Sequence, residues 1–208
     1  MITLALAVML QSQKLLPIDE GPKDKQFLEF RTNMIAAIKK KNYTYVQSRI
    51  ADDIEWNFGE GGGKKEMMEE WAFLETTAAF YKELLEVLEL GGKFQQYDGT
   101  RYFVAPYVFS AWPDAYDPFE FLAATRKDVP VFAQASADSQ KIGSLKYEIV
   151  ARDRADEYQD GWYRISYAGG PNDRGWVQDG AVRNPIDYRA FFQKRHGSWY
   201  MVTFIAGD

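Results

Sequence analysis

With one histidine, His196, and no cysteine in 208 residues, few side chains of this chain are able to do chemistry. Those two counts exclude disulfides, thiol nucleophiles, cysteine-held zinc or iron–sulfur sites and any three-histidine metal site. Carboxylates remain. Ile54, Trp56 and Phe58 alternate with Glu55 and Asn57, so Glu55 and Asn57 share one face of a half-buried strand. With Arg101 as counter-charge from another strand, and Trp71 or Tyr107 beside it, Glu55 would be an acid–base group or anchor in a polar pocket. The plainer description is a solvated strand face. His196 sits in Arg195-His196-Gly197, which reads as a hairpin turn, and no nucleophile elbow exists for it to serve. Asp114, Asp117 and Glu120 lie in a Pro-bounded loop whose spacing lacks the order of a calcium-binding loop. Residues 59–65, GEGGGKK, offer a glycine-rich approach to a helix, but Phe58 stands where a phosphate loop needs its first Gly, and no Ser or Thr follows Lys64. A flexible connector is the better description. No metal and no cofactor are expected.

Aromatic residues are the more conspicuous resource, at 16% of the chain. Gly161-Trp162-Tyr163 and Gly175-Trp176-Val177 each place a glycine before a large indole. Trp162 and Trp176 are either lids over a small core or, with Tyr163 and Tyr167, the lining of a groove for an extended ligand, since rigid rings give contact area at low entropic cost. A second dense run comprises Tyr102, Phe103, Tyr107, Phe109, Trp112, Tyr116, Phe119 and Phe121, which reads as a packing seam or a binding strip.

These residues need elements to hold them. Phe27, Phe30, Met34 and Ile38 recur at spacings of three and four, and Lys39, Lys40 and Lys41 crowd the end of that pattern, which predicts a helix from about residue 23. A short helix with Tyr45, Val46 and Ile50, a strand over 54–58, and helices over 65–74 and 77–90 follow, with Gly91-Gly92 as a stop. The period then changes from 3.6 to 2. Strands are predicted over 101–104, 119–125 and 129–134, and a hairpin over 188–206 turns at His196-Gly197-Ser198. Helices first and strands afterwards indicate an α+β chain built as two units.

From Val129-Pro130-Val131-Phe132, through Ile142-Gly143-Ser144-Leu145, to the two Gly-Trp motifs, the order resembles a bacterial SH3 (SH3b) domain over roughly 55 residues. That resemblance implies a small β-barrel, often attached to cell-wall or envelope proteins, that binds peptides or peptidoglycan. The opening helix, the stretch Ala51-Asp52-Asp53-Ile54-Glu55-Trp56 and the closing hairpin are similar to NTF2-like (SnoaL-like) α+β domains, which implies a helix layer on a curved sheet. Together they predict an NTF2-like unit over 20–118 and 185–208, carrying an SH3-like barrel over 119–184 that returns at Asn184-Pro185.

A net charge of −5 makes the chain a poor nucleic-acid partner. The apolar run at residues 2–10 is too short to span a bilayer, so no transmembrane segment is expected. It has the length of a secretory h-region, which makes residues 1–16 a possible signal segment and the protein periplasmic or secreted, or cytoplasmic if the run packs on the domain. The expected function is non-catalytic: an exported envelope protein whose SH3-like barrel binds a peptide, a cell-wall component or a protein partner through Trp162, Tyr163, Tyr167 and Trp176. The alternative is a small-molecule binder or enzyme using Glu55, Asn57, Trp71, Arg101 and Tyr107.

Overall fold

A computed structural model describes residues 13–59, 62–73, 77–153, 158–166 and 173–207. In chain order the elements are α1 (Lys25–Lys39), α2 (Tyr43–Ser48), β1 (Ile50–Glu55), α3 (Gly63–Phe73), α4 (Thr77–Glu89), β2 (Lys93–Tyr97), β3 (Thr100–Ala105), α5 (Tyr107–Ser110), β4 (Phe121–Ala124), β5 (Val129–Phe132), β6 (Lys141–Leu145), β7 (Ile149–Arg152), β8 (Tyr158–Gln159), β9 (Trp162–Ser166), β10 (Arg174–Gln178), β11 (Val182–Arg183), β12 (Arg189–Arg195) and β13 (Ser198–Ile205). The chain is thus α+β, and it divides into two compact units. One holds Pro17–Pro113 and the described residues from Pro185 onward. The other holds Asp114–Asn184 with the described residues before Pro17.

The helical unit begins with a cap. The Asp24 carboxylate accepts from the backbone N–H groups of Gln26 and Phe27, both at 3.1 Å, an arrangement that contributes about 1 kcal/mol. This fixes the start of α1 two residues later than the periodicity alone suggests. Phe27, Phe30, Met34 and Ile38 all turn inward. The five-stranded sheet runs β1-β13-β12-β3-β2, with β1 parallel to β13 and the other pairs antiparallel. The first strand is Ile50–Glu55 rather than 54–58, with Ile50, Ala51 and Ile54 buried while Asp52, Asp53 and Glu55 face water. Rings fill the space between helices and sheet. Phe27 lies 4.1 Å from Phe103, 5.0 Å from Trp199 and 5.8 Å from Phe192, ring centre to ring centre. On α4, Phe80 meets Phe204 at 5.2 Å.

The β-rich unit has a sheet in the order β11-β4-β7-β9-β10-β5-β6, with β8 added beside β9. All its pairs are antiparallel. Its inner face carries Leu122, Val129, Val131, Leu145, Val150, Ile165, Val177 and Val182. The expected closed barrel is corrected here: among the described residues the path is open, ending at β11 and β6. The end strand β11 is only two residues long, which leaves too short a free edge for β6 to close on. The start of the described chain joins this unit. The N–H of Leu15 donates to the Tyr147 carbonyl and that of Ile149 to the Gln13 carbonyl, both at 2.8 Å, and Leu15 is buried. The segment set apart as a possible leader, residues 1–16, therefore includes at its end residues that belong to the folded unit. Residues 1–12, with the run at 2–10, lie outside the described residues.

Candidate functional site

The predicted pocket around Glu55 does not assemble. Glu55 is exposed on the edge strand β1, and Arg101 is exposed on β3. Two strands, β13 and β12, lie between them, a separation of about 14 Å at the usual strand spacing. Arg101 instead stacks 3.8 Å over the Phe94 ring and pairs with Asp24 at 3.2 Å. Asn57 turns back on its own loop, its Oδ1 accepting from the Gly59 N–H at 2.9 Å. Trp71, 9% exposed, packs 5.3 Å from Tyr188 and 5.5 Å from Phe80, and Tyr107 is buried in α5. These two are core residues, and among the described residues no acid–base constellation gathers around Glu55.

The glycine-rich approach to α3 is a packing device. A Cβ on Gly63 would stand 2.2 Å from the Asp52 carbonyl oxygen, so only glycine lets α3 start against β1. An open cavity of about 300 Å³ beside it is lined by Gln47, Ser48, Lys64, Lys65 and Met68. Both lysines there are occupied, Lys64 by Asp52 and Lys65 by Glu69 at 3.9 Å. Glu60 and Gly61 lie outside the described residues. His196 is exposed at the first position of a two-residue turn, φ +48°, between Arg195 and Ser198, which are paired. Asp117 closes its own turn, accepting from the Phe119 N–H at 2.8 Å. Among the described residues no group of three or more His, Asp or Glu side chains is placed to hold a metal.

The aromatic residues of the β-rich unit are brought together only in part. Along β9 successive side chains alternate between faces, so Ile165 and Tyr163 turn toward the core while Trp162 and Arg164 turn outward. Tyr163 therefore does not line the face of the two indoles. It lies 5.1 Å from Tyr158, and Arg152 stands 5.5 Å over its ring. Tyr167 lies outside the described residues. On β10, Gly175 and Val177 point in, and Arg174 and Trp176 point out. Trp176 is directly opposite Arg164 on one side and Phe132 on the other. Gly175 is required by this arrangement: a Cβ there would approach the Val131 Cγ1 to 2.3 Å.

The outer face is thus Phe132, Trp176, Trp162, Arg164 and Arg174. Trp162 is 8% exposed and packs edge-on to Phe132 with ring centres 5.4 Å apart. Trp176 is half-buried, with the Arg164 guanidinium 5.9 Å from its ring. Asp153, with 9% of its side chain exposed, meets Arg164 Nε at 3.4 Å and Arg174 Nε at 3.3 Å, tying both arginines to the strand ends. As site residues, Phe132, Arg164, Arg174 and Asp153 are absent from the sequence reading. The first three were available to it, since alternation through Trp162–Ser166, Arg174–Gln178 and Val129–Phe132 places them beside the indoles. Chemically the face offers apolar contact, a cation over an indole and guanidinium donors.

No family model, characterised protein or solved structure matches this chain. Among the described residues no helix is long and apolar enough to cross a membrane.

Proposed function

We propose that the protein is a non-catalytic binding module of the cell envelope, whose β-rich unit takes an extended peptide, free or as part of the cell wall, on its outer aromatic face. The observation that carries this reading is the partly exposed Trp176, set between Phe132 and Arg164 in one cross-strand row. A flat aromatic patch of that kind favours an elongated partner, held by ring contact and a few hydrogen bonds. The apolar run at residues 2–10 and the lack of cysteine fit an exported protein. No cofactor enters the reading.

Co-sedimentation of the full chain with purified peptidoglycan sacculi across a salt series tests it. The expected result is saturable pelleting that survives moderate salt and is lost in Trp176→Ala. Equal pelleting by Trp176→Ala would remove the face from the function. Absence of pelleting would remove the cell wall as the partner.

A further inference from the structure

Resting on that reading, we infer that the peptide bound on the aromatic face carries a carboxylate two residues from an apolar side chain, and that Arg174 reads this carboxylate while Trp176 takes the apolar group.

Arg174 and Trp176 are second neighbours on one face of β10, about 7 Å apart along the strand. An extended peptide laid along β10 repeats its same-side residues at that same interval. One of its side chains therefore falls on the indole and the next on the guanidinium.

Chemistry supports the assignment. Arg174 is engaged by Asp153 through Nε at 3.3 Å, which leaves the outer edge of the planar fork, its two Nη groups, for a further acceptor. Its side chain is 46% exposed, so the fork is reachable from solvent, and Asp153 is the one ion-pair partner it has among the described residues. The nearly buried Asp153 fixes the arginine stem and lowers the entropy lost when a ligand binds. A carboxylate is the acceptor that matches a guanidinium edge with two parallel hydrogen bonds.

Three capped pentapeptides and the full-length protein make the test: one with tyrosine and glutamate two positions apart, its glutamine counterpart, and one with tyrosine and glutamate adjacent. Binding is read from the Trp176 indole N–H signal by NMR. The glutamate peptide is expected to bind roughly tenfold more tightly than the other two. Arg174→Gln should erase that preference, so that the variant binds the glutamate and glutamine peptides equally, and an unaltered melting temperature shows that the variant is folded. A preference that survives in Arg174→Gln, or an adjacent-spacing peptide that binds equally well, overturns the inference but leaves the aromatic face as a peptide site. A shift of the Trp176 signal by peptide-free glycan strands, with none by the peptides, overturns it in favour of a sugar. If no probe moves Trp176 and sacculi do not pellet, the inference and the reading beneath it both fall.

Discussion

Trp162 and Trp176 carry the same side chain on neighbouring strands, yet their surroundings separate packing from recognition. Trp162 is 8% exposed against Phe132, so Trp162→Ala should cost about 3 kcal/mol in a urea denaturation series. Trp176 is partly exposed, and Trp176→Ala should cost less stability than Trp162→Ala while binding is lost. A second residue-scale contrast lies in the helical unit. Both guanidinium Nη atoms of Arg31, a residue 8% exposed, donate to Asp19 at 2.6 Å. Burial pushes the Asp19 carboxyl up, but the Arg31 bonds and the Gly21 N–H outweigh it and hold the group below its usual value. A depressed folded value means that ionised Asp19 contributes stability above its unfolded value, and that this is lost as pH falls through the folded one. Asp19→Asn should therefore cost about 1 kcal/mol at pH 7, modest because the carboxylate keeps much of its surface in water. The gap to the parent protein should close in acid, as thermal melts at several pH values would record.

At the scale of elements, the motif Gly-Trp has one cause in β10: a glycine where β5 approaches and an indole where solvent begins. Gly175→Val would drive a branched side chain into Val131 and the Phe132 carbonyl, 3.1 Å from the new Cβ. A loss of about 2–3 kcal/mol is expected, with weakened ligand binding, since Phe132 shares the outer face. Chemical denaturation and the peptide titration read the two effects separately. That two-sided pattern was legible in the sequence, as were α1, the helix pair α3 and α4, and the turn at His196. The face of Tyr163 was legible too and was misread, because neighbours on a strand cannot share a face. Glu55 and Arg101 were beyond reach for another reason. Alternation tells which side of a strand a residue takes but not which strands lie side by side. Here the C-terminal hairpin β12–β13 lies between β1 and β3. Asp153 was hidden likewise, since only the pairing of β7 with β9 brings the residue after β7 to Arg164 and Arg174.

For the whole molecule, the division into two units carries its own prediction. All five strands and all five helices of the helical unit come from outside Asp114–Asn184. Replacing residues 114–184 with a Gly/Ser linker should leave a protein that keeps its helical circular dichroism and melts cooperatively. A non-cooperative melt would show that the helical unit depends on the insert. Within the β-rich unit, Leu15→Ala should cost about 2–3 kcal/mol, because its side chain is buried and its backbone is tied to Tyr147. The sheet order β1-β13-β12-β3-β2 also sets a timetable. On the ribosome, α1 to α4 and three of their five strands emerge well before β12 and β13, the two strands that stand in the middle of that sheet. Phe27, Phe80 and Met34 must wait for Phe192 and Phe204 while some seventy residues of insert are made, a long-range closure that is intrinsically slow. The β-rich insert, complete by residue 184, is free to fold first, and the nascent helical half is the part that has most to gain from a chaperone.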